Sequence, residues 1–285
     1  MKKIILFWAM VIAVSANAQV PFAQSLERGT AIDTAKYKVT YQLMYKNHPD
    51  DKDVKEDMRI VQIGRNTVKD YSDILFHFDS LRTESERGGA ETYSNASGNP
   101  WPMEITNYVR SKNTAIKYRL PIQIGTLCYA DSTPSLAWNY MNEQSDTILG
   151  YECQKATTIF AGRTYTAWFT TEIPLPYGPY KFGGLPGLIL RIQDADKQFS
   201  WECIGFERSS SPIIQYEYDN EKKCSPDDAN KTIARYYQSP YSFLSAGMGG
   251  ARIMIKGTDG KFRSSADVEE QSIPYKPLEL ELELK

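Results

Sequence analysis

Histidine is nearly absent from this sequence, with two residues in 285, which leaves little material for a metal centre or a proton relay built on several imidazoles. Basic residues are not in excess either. The 33 Lys and Arg stand against 35 Asp and Glu, so the dense cationic surface that releases counterions on a nucleic acid is missing, and no nucleic-acid partner is expected. The chain has no Gly-x-Ser-x-Gly elbow, no His-Glu-x-x-His pair, no phosphate loop ending in Lys-Ser/Thr and no dinucleotide fingerprint. It therefore nominates no catalytic residue, cofactor or metal and reads as a non-enzyme. Four cysteines are present, Cys128, Cys153, Cys203 and Cys224, but no Cys-x-x-Cys, which argues against a zinc ribbon or a thioredoxin-type centre.

Long hydrophobic runs are also lacking, apart from Ile4 to Val14. That run follows Lys2 and Lys3 and precedes Ala16-Asn17-Ala18, the pattern of a secretory leader cleaved after Ala18. It is too short to span a bilayer, which takes about 20 apolar residues. The expected mature chain is a single exported domain, residues 19–285, with no transmembrane span. In an oxidising compartment an even number of cysteines favours one or two disulfides, and the sequence leaves their pairing open.

What dominates the mature chain is alternation. Tyr37, Val39, Tyr41, Leu43 and Tyr45 occupy every second position, the period of a half-buried strand. Similar strands are predicted at Met58 to Ile63, Ala115 to Ile124, Tyr151 to Phe160, Thr164 to Thr170, Leu188 to Ile192 and Phe199 to Phe206. Helical spacing appears twice, at Asp73 to Arg82 and at Ser225 to Tyr237, the latter opened by Ser-Pro-Asp-Asp. The fold class is α+β, with a predominantly antiparallel, curved sheet and two or so helices packed on it. Thr83 to Pro100 reads as a long polar loop. The alternating Leu278, Leu280, Leu282 and Leu284 read as a strand with one apolar and one acidic face. His48-Pro49-Asp50-Asp51-Lys52-Asp53 gathers oxygens and an imidazole without the spacing of a calcium loop, and is better read as a hairpin tip. His77 is placed on the apolar side of the first helix, as a structural residue.

The most distinctive stretch is YTAWFTTEIPLPYGPYKFGGLPGLILRI, Tyr165 to Ile192. Pro174, Pro176 and Pro179 fix φ and stiffen a loop that carries Tyr177, Tyr180 and Phe182. Leu185-Pro186-Gly187-Leu188 fits a type II turn, with Gly187 at positive φ. Together with Trp168 these aromatics form either the rim of a cleft or a plug over the core.

Gly184, Leu185, Pro186, Gly187, Leu188 and Ile189 spell the motif that names the GLPGLI family, exported proteins found mainly in the Bacteroidota, and the chain resembles that family. Leu149 to Ala156, Ala167 to Thr170, Gly178 to Phe182 and Tyr275 to Leu280 are similar to its flanking pattern. The resemblance implies a periplasmic or outer-membrane-associated location in a two-membrane bacterium, and carries over no catalytic residue. It also draws notice to Asp33-Thr34-Ala35, Asp79-Ser80-Leu81 and Asp146-Thr147-Ile148, which are similar to O-glycosylation acceptors of that phylum.

Two functions follow. In the first, the protein is a periplasmic carrier that shelters an apolar small molecule or lipid-like ligand beneath the aromatic loop. In the second, it is an interaction partner of an outer-membrane receptor or transport machine, with a packed core and no ligand cavity. An enzyme centred on His48 stands third.

Overall fold

In the computed structural model, the described residues are 13–14, 21–89, 97–121, 124–250, 252–256 and 261–280. The strands, in chain order, are β1 (Ala13–Val14), β2 (Gly29–Thr34), β3 (Tyr37–Tyr45), β4 (Lys55–Ile63), β5 (Thr67–Ser72), β6 (Met103–Tyr108), β7 (Asn113–Arg119), β8 (Thr126–Ser132), β9 (Asn139–Ile148), β10 (Tyr151–Phe160), β11 (Arg163–Thr170), β12 (Leu188–Asp194), β13 (Phe199–Arg208), β14 (Pro212–Tyr216), β15 (Glu221–Lys223), β16 (Met254–Lys256) and β17 (Phe262–Ser264). Three helices join them, α1 (Asp73–Arg87), α2 (Pro226–Gln238) and α3 (Pro240–Gly247). Twelve strands form one open sheet in the order β15-β8-β7-β6-β5-β4-β3-β13-β12-β11-β10-β9, antiparallel except for β15 on β8. The fold is thus α+β and sheet-dominated. A separate ribbon pairs β14 with β2, and β1 runs parallel to β16. The rest of the expected leader lies outside the described residues. No helix among those described is long and apolar enough to cross a membrane.

Alternation along β3 decides which face is buried. Val39, Tyr41, Leu43 and Tyr45 point inward and join Ile105, Ile116, Tyr165, Phe169, Leu190 and Trp201 in one cluster. Strands far apart in the ladder therefore share a single core. On the opposite face of β5, β6 and β7, Lys69, Glu104, Lys117 and Arg119 turn toward α1 and the β2–β14 ribbon. Arg119 pairs there with Asp79 of α1 and Lys69 with Glu104 at 3.1 Å.

α1 begins where Ser72 accepts from the Leu75 N–H. It runs past the apolar periodicity that predicted its end. The reason is polar: Asp79 and Thr83 are buried because they accept the N–H groups of Gln24 and Leu26 at 2.7 and 2.9 Å. Residues 83–87, read as loop, are therefore helical, and 90–96 lie outside the described residues. The predicted strand Ala115 to Ile124 ends at Arg119. The predicted Leu/Glu strand is not formed at 278–280, where Leu278 is instead buried, and 281–285 lie outside the described residues. His77 is exposed on α1, not on its apolar side, because Leu75 and Asp79 occupy the buried stripe.

Candidate functional site

The loop after β11 folds inward. Tyr180, Phe182 and Leu185 are each at most 3% exposed, and Tyr180 and Phe182 pack against Trp201 with ring centroids at 6.4 and 5.8 Å. The loop is fixed from several sides. The Tyr180 N–H donates to Asp70 at 2.7 Å, Asn107 donates to the Tyr180 carbonyl at 3.1 Å, and the Trp138 indole donates to the Gly183 carbonyl at 2.9 Å. Lys181, also buried, reaches Asp131 at 2.8 Å and Glu279 at 2.6 Å, while the Tyr180 hydroxyl donates to Glu279. Burial and the adjacent Glu279 push that phenol well above its ordinary range, so it stays a donor.

The motif glycines work differently from the expected type II turn. Gly187 does not have positive φ. Its need for hydrogen is steric, since a Cβ there would stand 1.8 Å from the Thr170 carbonyl oxygen. The positive φ belongs to Gly184, at +88°. The chain passes so close to the end of β11 because Leu188 pairs with Thr170 across the β11–β12 ladder.

The four nominated aromatics do not converge. Tyr180 and Phe182 are core, whereas Tyr177 is half-buried and Trp168 lies half-buried on the outer face, with Lys155 and Arg191 at 5.6 and 5.3 Å from its ring. All four cysteines are free thiols: Cys153 and Cys203 are buried in strands separated by β11 and β12 in the ladder. At the His48 turn the imidazole lies 3.5 Å from an exposed Asp50, and among the described residues no cluster of His, Cys, Asp or Glu forms a metal site. Of the candidate acceptors, Thr34 and Thr147 are exposed, while Ser80 donates back to the Phe76 carbonyl at 2.8 Å beside the buried Asp79.

Among the described residues, three spaces bear on ligand or partner binding. One is a cavity of about 70 Å³ between the sheet, α2 and the C-terminal segment, walled by Tyr45, Trp101, Tyr118, Tyr237 and Tyr275. The C-terminal segment closes it as a strap, held where Arg163 donates to the carbonyls of Pro277 and Leu278 at 2.6 and 2.9 Å. A second, of about 60 Å³, lies in the ionic layer beside Lys69 and Tyr218. The third is an open groove of about 1230 Å³ between the β2–β14 ribbon and strands β7, β8 and β15. Thr30, Ile32, Lys117, Ala130, Glu217 and Lys223 line it. One wall is tied by Lys117 to Glu221 and the rim by Arg28 to Asp219 at 2.7 Å. Sequence reasoning missed this groove because contacts such as Lys117 to Glu221, 104 positions apart, leave no local signal.

The family described as "N-glycanase peptide, N-terminal domain" matches residues 90–221, under half of the 285 residues. The matched region contains the 184–189 motif and most of the groove lining. No curated protein matches the chain. Among solved structures, PNGF-II is similar in two crystal forms, each at 13% identity and a TM-score of 0.42. The alignments cover 69% of this chain and 32% of that one in the first form, and 77% and 34% in the second. The chain thus spans about a third of the length of PNGF-II. A putative outer membrane lipoprotein-sorting protein domain from Vibrio parahaemolyticus is similar at 8% identity, with a TM-score of 0.20, over 70% of this chain and 91% of that domain.

Proposed function

We propose that the protein is a non-enzymatic module of the bacterial cell envelope that docks a protein partner along the groove between the β2–β14 ribbon and strands β7, β8 and β15. One contrast carries this reading. The two smaller pockets, about 60 and 70 Å³, fall far short of the roughly 300–1,000 Å³ typical of small-molecule sites, whereas the shallower groove is about 1230 Å³. The aromatic loop is spent on the core. The leader and the GLPGLI resemblance support the periplasmic location, and the match to one domain of an N-glycanase supports a module that accompanies another functional unit.

The sheltered-ligand reading keeps one specific observation in its favour. The Tyr165 hydroxyl and the Trp201 indole nitrogen are buried in the aromatic core without a hydrogen-bond partner, and buried polar groups normally have one. Native mass spectrometry of the protein isolated from its own envelope separates the two readings. A co-purifying protein, lost when Ala130 is replaced by Trp to fill the groove, is the expected result. A small apolar adduct retained by that variant overturns the docking reading.

A further inference from the structure

We propose that the partner enters the groove as an extended strand, which pairs its main chain with the open edge of β8 at Ala130 and Ser132, in line with β15. The inference rests on the docking reading and names the kind of segment that docks.

β8 is longer than the strand that covers it. It runs from Thr126 to Ser132, whereas β15 pairs only with Thr126, Leu127 and Cys128. The Thr126 N–H donates to the Asn220 carbonyl at 3.2 Å, and the Cys224 N–H donates to the Cys128 carbonyl at 3.0 Å. Main-chain groups of a strand turn alternately to its two edges, so the even-numbered residues of β8 face β15 and the odd-numbered ones face β7. Ala130 and Ser132 continue the even series past the end of β15. There the covering chain turns away, because Ser225 caps α2. Among the described residues no strand lies beside 129–132 on this edge. The Ser132 N–H is taken by the neighbouring Asp131 carboxylate at 2.8 Å. The Ala130 N–H and carbonyl and the Ser132 carbonyl are left to face outward.

This edge opens into the groove, where Ala130 is exposed and part of the lining. Unpaired N–H and C=O groups along an edge are a template for another strand. They suit an extended segment and not a helix, whose main-chain groups are already bonded to one another. β15 shows that β8 accepts a strand here, with a ladder only three residues long. The docking segment has no proline at the residue that donates to the Ala130 carbonyl, because proline lacks the N–H. Side chains on the face of Ala130 point into the groove, and an apolar one matches Ile32 on the ribbon wall.

The test places a photo-crosslinking residue at 130 and, separately, at 132, in cells that export the protein, and maps each adduct on the captured partner by mass. The two positions share a face, so strand pairing calls for attachment points two residues apart in one continuous stretch of a single partner. The same partner residue from both positions, or residues from separate parts of its sequence, overturns strand pairing and leaves groove docking standing. A second arm removes the donor. Ala130→Pro deletes an N–H that bonds no neighbouring strand, the edge position that tolerates proline. With the crosslinking residue at Thr30, exposed on the ribbon wall, Ala130→Pro should cut the adduct about fivefold or more, while Ala130→Ser keeps it. An undiminished adduct in Ala130→Pro overturns the strand mode alone. No adduct from 30, 130 or 132 in the otherwise unaltered chain overturns docking and the strand mode together. The mapping at 130 and 132 decides the matter even if the proline variant does not fold.

Discussion

At the scale of single residues, Gly187 and Gly184 make separable claims. An alanine at 187 drives its Cβ into a backbone carbonyl that cannot yield without opening the β11–β12 ladder. Gly187→Ala should therefore cost about 3 kcal/mol or more. At Gly184, φ is +88° but the nearest atom to a Cβ is 3.9 Å away, so Gly184→Ala should cost only about 1 kcal/mol, the price of a left-handed conformation. Denaturant unfolding of the two variants checks the order, and a larger loss at 184 contradicts the assignment. Lys55 makes a claim about pH. Burial pulls its ammonium down from 10.5 to about 8, with Asp51 and Asp53 opposing. The folded chain therefore releases this proton before the unfolded chain does, so between about 8 and 10.5 the unfolded state binds more protons. Stability contributed by this group accordingly rises with pH across that window. An NMR titration of the Lys55 side chain should give a midpoint near 8, and a midpoint near 10.5 contradicts the burial.

At the scale of elements, the C-terminal strap depends on Arg163, which is 3% exposed and also pairs with Asp194 at 3.0 Å. Arg163→Met removes the donors to Pro277 and Leu278 and leaves Asp194 buried without its cation. The expected cost is about 3–5 kcal/mol, with faster hydrogen exchange across residues 273–280. Unchanged exchange there means the strap is held elsewhere. The elements that the sequence disclosed are those whose two faces meet different surroundings. β3, β10 and β13 alternate because one side meets the core and the other water, and α2 announced itself through Ser225 and Pro226. β5 was illegible because it is covered on both faces and buries a charge on each, Asp70 on the core side, where it accepts from Arg59 and from the Tyr180 N–H, and Lys69 in the ionic layer on the other. β6 and the far half of α1 hide for the same reason, since Glu104, Asp79 and Thr83 are polar groups satisfied by partners distant in sequence. The aromatic loop was recognised as a unit. Its direction was not, because that depends on Asp70 and Asn107, which lie about 70 to 110 positions away.

At the scale of the molecule, the sheet commits its inner face to two apolar clusters, a large aromatic and aliphatic one and a smaller one where Tyr118 and Leu127 meet α2 and α3, and leaves a groove on the other face, between β7, β8, β15 and the β2–β14 ribbon. A partner held there touches Ala130, exposed on β8, and does not touch Ile159, which is 75% exposed on β10 near the opposite edge of the sheet. The most direct measurement places a photo-crosslinking residue at each position in turn, in cells that export the protein. Docking in the groove calls for a discrete protein adduct from position 130 and none from position 159. Absence of an adduct from 130, or equal capture at both positions, contradicts it.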